Sequence, residues 1–345
     1  MPHYGYKPSG GFRIIYQIAN RLSERNYQVT LIHTATVHSG PRSIMGWYRT
    51  LRDKKRATKW FAFEKNVNIK YVLTLQEKNI PDADFTVATS CETSYFLNKY
   101  HETKGKKVYY IQGYELWAGG EERVLRSWKF DMIKIMISQD LCEKARQKNI
   151  PNVYYIPNAI DTQLFKLCDN IEERQDVIAM MCSKDKNKGT ENGIEVLKKV
   201  LEKKPEVKIK CFGTCSRPES LPYEVEYYEN PRQEFLIEEI YNKAKIFIFN
   251  SIYEGWGLPP MEAMACGAAV VTTDCGGVRD FATDNESAYI CKPGDIDQMY
   301  CKVWELLTDE RKRVDMAINA YQNIQNFKWD LLIDKFENVL KSLNR

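Results

Sequence analysis

The residues best placed to do chemistry are concentrated in one stretch, Tyr253-Glu254-Gly255-Trp256-Gly257-Leu258-Pro259-Pro260-Met261-Glu262-Ala263-Met264-Ala265-Cys266-Gly267. It follows an apolar run and opens a helix. Gly255 and Gly257 let the backbone come close to a ligand where a Cβ would obstruct it. Pro259 or Pro260 suits a first helical turn, in which a missing N–H costs nothing. The free N–H groups of such a turn favour an anion, a pyrophosphate among them. Glu254 and Glu262 stand eight residues apart, one in the loop and one inside the helix. That spacing sends them to different parts of one ligand and does not make a close carboxylate pair. The plain structural alternative is a glycine- and proline-rich helix start with two incidental glutamates.

The elements that must position this stretch read as strand–helix alternation in two rounds, the pattern of two α/β units with parallel sheets. In the first round, helical spacing over Gly11–Arg25 leads to a strand at Tyr27–His33. Further strands are predicted at Ile69–Leu73, Phe85–Ala88, Lys107–Ile111, Ile133–Ile137 and Val153–Ile156, with helices near Glu92–Tyr100 and Gln139–Lys148. The second round opens at Val177–Cys182, a continuous apolar run of the kind buried in parallel sheets. Strands at Val207–Phe212, Ile246–Asn250 and Ala268–Thr272 then alternate with helices at Asn192–Glu202, Gln233–Lys243 and Met261–Ala265. Helices at Ile296–Leu307, Arg311–Gln322 and Trp329–Leu343 close the chain. The expected division is residues 1–157, residues 158–326, and a terminal helix over 327–345 that crosses back to the first domain. Ligands of open parallel sheets sit at the carboxyl ends of the strands, so two such sheets should face each other across a cleft.

At 345 residues, 43% hydrophobic and 28% charged, the chain can bury two cores. No stretch approaches the ~18 apolar residues of a membrane span. Met1–Gly10 is polar where a secretory signal would be apolar, and the expectation is a cytoplasmic protein. Ten cysteines are scattered without CxxC or metal-ligand spacing, which suits reduced, structural thiols. The net charge of +4 hides an asymmetry, with +11 over residues 1–160 and −7 over 161–345. The first half should therefore face something anionic. Within it, Arg42–Lys70 holds nine basic and two acidic residues interleaved with Trp47, Tyr48, Trp60, Phe61 and Phe63. An anionic membrane surface competes there with a solvated helix whose aromatics pack inward, and nucleic acid is not an expected partner.

The stretch from Glu254 to Glu262 resembles the E-x7-E signature of retaining nucleotide-sugar glycosyltransferases of the GT-B fold, specifically glycosyltransferase family 4. The resemblance runs along nearly the whole chain. Gly10-Gly11 before a helix is similar to that family's glycine loop, and Ile156-Pro157-Asn158-Ala159-Ile160-Asp161 to its "PNGID" interdomain segment, with Ala159 in place of the usual Gly. Lys188-Gly189 resembles its phosphate-binding Lys-Gly, and Phe212-Gly213 its next strand-end glycine. Asp274-Cys275-Gly276-Gly277-Val278-Arg279-Asp280 resembles its "GG-x-x-E/D" turn, and Phe327 and Trp329 open what is similar to its terminal helix.

The resemblance implies two Rossmann-like parallel-sheet domains and a sugar transfer, with retention, from a nucleotide-diphosphate-sugar donor to a hydroxyl of a saccharide or glycolipid. Cell-surface polysaccharide or glycolipid synthesis at the inner face of the membrane is the implied setting, with no metal and no further cofactor. Glu262 should accept the donor's ribose hydroxyls, Glu254 should face the donor sugar, and Lys188 should neutralise the diphosphate. Gly10, Gly11, Gly213, Gly255, Trp256, Gly257 and Leu258 complete the implied donor contacts. The family's usual upstream Arg is absent, and Lys184 or Lys186 stands in its place without the bidentate fork. Many relatives carry a His where this chain reads Gln112, which can orient a hydroxyl but cannot titrate. Glu115 is the nearby titratable group and the candidate for touching the acceptor. A catalytically silent nucleotide-sugar-binding subunit, a GT-B phosphorylase and a nucleotide-sugar epimerase stay open as alternatives. One departure concerns Met1–Ser9, which holds two Pro and a Gly where the family has a central apolar strand, so the first strand of the first domain is expected to be missing.

Overall fold

The computed structural model describes residues 9–37 and 60–342. The chain divides into two compact units, one reaching to Asn158 and resuming at Trp329, the other Ala159–Lys328. In the first unit the strands are β1 Thr30–Thr34, β2 Asn68–Val72, β3 Phe85–Ala88, β4 Lys106–Ile111, β5 Ile133–Met136 and β6 Val153–Tyr155. All their pairings are parallel. Among the described residues they form two sheets, β1-β2 and β3-β4-β5-β6. Residues 1–8, where a missing strand is expected, lie outside the described residues. The helix Gly10–Glu24 buries Ile14, Ile15, Ile18, Ala19 and Leu22, the face its spacing predicts. Helix Trp329–Ser342 belongs to this unit and buries Trp329, Leu332, Ile333, Phe336, Val339 and Leu340. Its Asp334 receives the Arg25 guanidinium at 2.6 Å.

The basic, aromatic segment is described only from residue 60. Trp60, Phe61 and Phe63 gather around the Tyr16 ring with centroid separations of 5.5, 5.2 and 4.8 Å. These three half-buried aromatics therefore pack on the helix Gly10–Glu24. Trp47, Tyr48 and most of the basic residues lie outside the described residues.

The second unit is a six-stranded, fully parallel sheet in the order β12-β11-β10-β7-β8-β9. Its strands are β7 Val177–Cys182, β8 Lys208–Gly213, β9 Glu226–Glu229, β10 Ile246–Phe249, β11 Ala269–Thr273 and β12 Tyr289–Cys291. The chain builds outward from β7 through β8 to β9, then returns to the other side of β7 for β10, β11 and β12. The reversal falls between β7 and β10, the place in an open parallel sheet where ligands bind. Every residue of β10 and β11 is buried, as in a parallel sheet covered on both faces. The short strands β9 and β12 and the helix Glu121–Trp128 have no counterpart in the sequence-based assignment. The helix expected over Gln233–Lys243 is α-helical only at Gln233–Phe235 and continues as a π-helix over Leu236–Tyr241. Among the described residues no helix is long and apolar enough to cross a membrane.

Candidate active site

The loops leaving β7 and β10 carry the two charged groups that meet. After β7, the Asp185 carboxylate accepts the Asn187 N–H at 3.0 Å and starts a tight turn over Lys186–Lys188 that ends on Gly189. The Ile252 N–H donates to the Asn187 carbonyl at 2.7 Å and ties this turn to the loop after β10. Lys184 and Lys186 stand exposed on the turn. Lys188 reaches across the reversal point, where its Nζ donates to Glu254 Oε1 at 2.5 Å. The Ser251 hydroxyl donates to the same oxygen at 2.7 Å. Both charged side chains are mostly covered, 28% exposed for Lys188 and 15% for Glu254.

The backbone around Glu254 is clamped from the β11 side. Its N–H donates to the Cys275 carbonyl at 2.7 Å, and its own carbonyl accepts the Gly277 N–H at 3.2 Å. A Cβ on Gly277 would fall 2.4 Å from the Gly255 carbonyl oxygen, so this close approach of two loops demands glycine. The helix Leu258–Ala265 then opens at Gly257, whose φ of +101° is again a glycine conformation. Leu258 is the first residue of that helix. Glu262 lies inside it at 4% exposure and accepts the Tyr241 hydroxyl at 2.9 Å. The two acids of the motif thus have different partners, Lys188 for one and Tyr241 for the other. The side chain of Trp256 turns into the core. Its indole is 3% exposed, bonds Met261 Sδ at 3.2 Å and packs on Phe281 and Phe327, so the side chain is a core group and only the backbone of this residue is left to face a ligand. Gly213 ends β8 in register with Cys182 of β7.

In the first unit, Gly10 and Gly11 form the opening turn of their helix. A Cβ on Gly11 would sit 3.4 Å from the Gln112 amide nitrogen, which places Gln112, one residue past β4, against that turn. Glu115 does not join them. Its Oε2 accepts the Cys91 N–H at 2.6 Å and the Tyr109 hydroxyl at 3.0 Å. Cys91 is the first residue of helix Cys91–Leu97, so the carboxyl group serves a helix N-terminus. Burial lifts its pKa from the usual 4.5 to about 7, against the lowering effect of those two hydrogen bonds. The side chain expected to touch an acceptor is therefore an internal anchor for the Gly113–Ala118 turn. Ser251 and Tyr241, which hold the two acids of the motif, lie outside any pattern visible in the sequence.

Two parallel-sheet units of this kind define a GT-B protein. The structure of HepE from Anabaena, solved in complex with UDP-glucose, superposes with a TM-score of 0.73 at 16% identity, covering 99% of this chain and 97% of that one. Residues 168–323 match the family described as Glycosyl transferases group 1. The matched residues make up most of the second unit, Ala159–Lys328. The chain is 21% identical over 315 residues to the poly(glycerol-phosphate) alpha-glucosyltransferase of Bacillus subtilis (strain 168), covering 87% of this chain and 45% of the relative. It is 26% identical over 200 residues to the capsular polysaccharide biosynthesis glycosyltransferase CapM of Staphylococcus aureus, covering 53% and 52%. The chain is thus aligned with only about half the length of these curated relatives.

Proposed function

We propose that the protein is a retaining glycosyltransferase that moves a sugar from a uridine-diphosphate sugar to a hydroxyl of a cell-surface polymer or glycolipid. The observation that carries this reading is the Lys188–Glu254 pair at 2.5 Å, closed across the point where the strand order of the second sheet reverses. A cation at that point suits the diphosphate, and the acid beside it suits positive charge developing on the sugar. HepE in complex with UDP-glucose supports the choice of base. The net charge of +11 over residues 1–160 supports an acceptor with anionic character, such as a polyol phosphate chain.

In the reaction, the bond between the anomeric carbon and the diphosphate oxygen breaks. The acceptor oxygen bonds the same face of that carbon, and its proton passes to the departing phosphate oxygen. Lys188 neutralises the departing diphosphate while Glu254, held by Ser251, stabilises the oxocarbenium-like sugar. Glu262 holds the ribose and takes no part in bond making.

The test uses UDP-glucose as donor and UDP as ligand. Glu254→Gln should lower turnover at least about 100-fold, the order seen when a group that stabilises transition-state charge is removed, while UDP affinity changes little. Glu262→Ala should weaken UDP binding by about 1.5–3 kcal/mol, the worth of a hydrogen bond to a charged group. Near-normal turnover by Glu254→Gln sinks the assignment.

A further inference from the structure

The side chain that holds Glu262 comes from an irregular element. The helix that begins at Gln233 switches to π geometry over Leu236–Tyr241, and the Asn242 N–H donates to the Ile237 carbonyl at 3.0 Å, five residues back. A π turn takes in one residue more than an α turn and so re-aims the residues that follow it. Here the turn ends on Tyr241. Its ring is fully buried and fixed edge-on against Phe212 and Phe247, with centroids 5.8 and 5.6 Å away. Its hydroxyl donates to Glu262 Oε2 at 2.9 Å.

A second buried group braces the same pair from below. The Arg174 guanidinium, 7% exposed, donates to the Ala244 carbonyl at 2.8 Å and to the Cys266 carbonyl at 2.5 Å. Those carbonyls lie just past the ends of the Tyr241 helix and of the Glu262 helix. One cation therefore ties together two helix C-termini, each carrying partial negative charge. Simple packing of two helices needs neither a π turn nor a buried cation.

We propose that Tyr241 is a positioning residue of the donor site: its phenol fixes the orientation in which Glu262 receives the nucleotide, and Arg174 keeps the two helices in the register that allows it. The proposal rests on the reading of Glu262 as the nucleotide-binding acid. Tyr241→Phe keeps the ring and its aromatic packing and removes only the hydroxyl that donates to Glu262. The dissociation constant for UDP and the KM for UDP-glucose should rise about 10-fold, the scale of one hydrogen bond to a charged group. Because the reacting sugar is held elsewhere, kcat should move less than about 2-fold.

The effect must run through Glu262. In a Glu262→Gln background, adding Tyr241→Phe should change UDP affinity far less than it does in the parent. Should Tyr241→Phe alone fail to fold, the double variant is compared with Glu262→Gln: equal UDP affinity is the expected result, and a further loss overturns the proposal. Unchanged UDP binding in Tyr241→Phe, alongside weakened binding in Glu262→Ala, overturns the proposal and leaves the donor site standing. An equal loss with and without Glu262 overturns it as well. Unchanged binding in Glu262→Ala removes the donor-site reading itself, and this proposal with it.

Discussion

Glu115 shows how a carboxyl group can be recruited by the fold. It accepts two hydrogen bonds and faces no cation in the contacts described, and burial lifts its pKa from 4.5 to about 7. An unfolded chain releases this proton near the usual value, so between about pH 4.5 and 7 the folded chain holds more proton than the unfolded one. Stability contributed by this group is therefore full at low pH, falls as pH rises through that window, and levels off above it. The ceiling is about 3 kcal/mol, the product of the shift and the energy per pKa unit. Glu115→Gln, neutral throughout, should flatten the change in thermal midpoint between about pH 5 and pH 8. A variant that keeps the full slope would show that other groups cause it. Part of this was legible in the sequence. Glycine and proline spacing singled out the Glu254–Glu262 stretch from local geometry alone. The meeting of Lys188 with Glu254, 66 residues apart, was not, because it follows from the order of strands in the sheet and not from anything near either residue. Nor was the inward turn of Trp256, since a large aromatic in a glycine loop serves a core and a ligand equally well by type.

At the scale of elements, the loop after β10 is shaped by its neighbour. Gly277 donates to the Glu254 carbonyl and leaves no room for a Cβ against the Gly255 carbonyl. Gly277→Ala should cost about 2 kcal/mol or more of stability, the range for forcing an extra methyl into closed packing. It should also lower turnover, because any relief moves the backbone that aims Glu254. A urea midpoint equal to wild type would contradict this. The long elements were legible because their signals are strong: continuous apolar runs at β7 and β10, and helical spacing at Gly10–Glu24. The elements that escaped are short or polar. β9 reads Glu-Tyr-Tyr-Glu at one sheet edge, β12 has three residues at the other, and the Glu121–Trp128 helix buries only Val124, Ser127 and Trp128. The π turn escaped for another reason. No residue type marks the register change, which is settled by what Tyr241 and the carbonyls bonded by Arg174 find around them.

At the scale of the whole molecule, the chain leaves the first unit at Asn158, builds Ala159–Lys328, and resumes the first unit at Trp329. The outgoing and returning segments are joined, with the Ile160 N–H donating to the Phe327 carbonyl at 2.9 Å. The returning helix buries six large apolar side chains and bonds Arg25 through Asp334. A chain ending at Lys328 should therefore lose the first unit at a lower temperature while the second keeps its own, giving two separate transitions in calorimetry. One transition at the wild-type temperature would mean that the helix contributes little.

The same connectivity bears on how the protein is made. A ribosome adding about 5–20 residues per second spends roughly ten to thirty seconds on the second unit, and throughout that time the first waits without the helix that covers it. The unit begun before the second is thus finished after it, and its uncovered apolar face is open to chaperones, or to neighbouring chains, until the helix Trp329–Ser342 clears the exit tunnel.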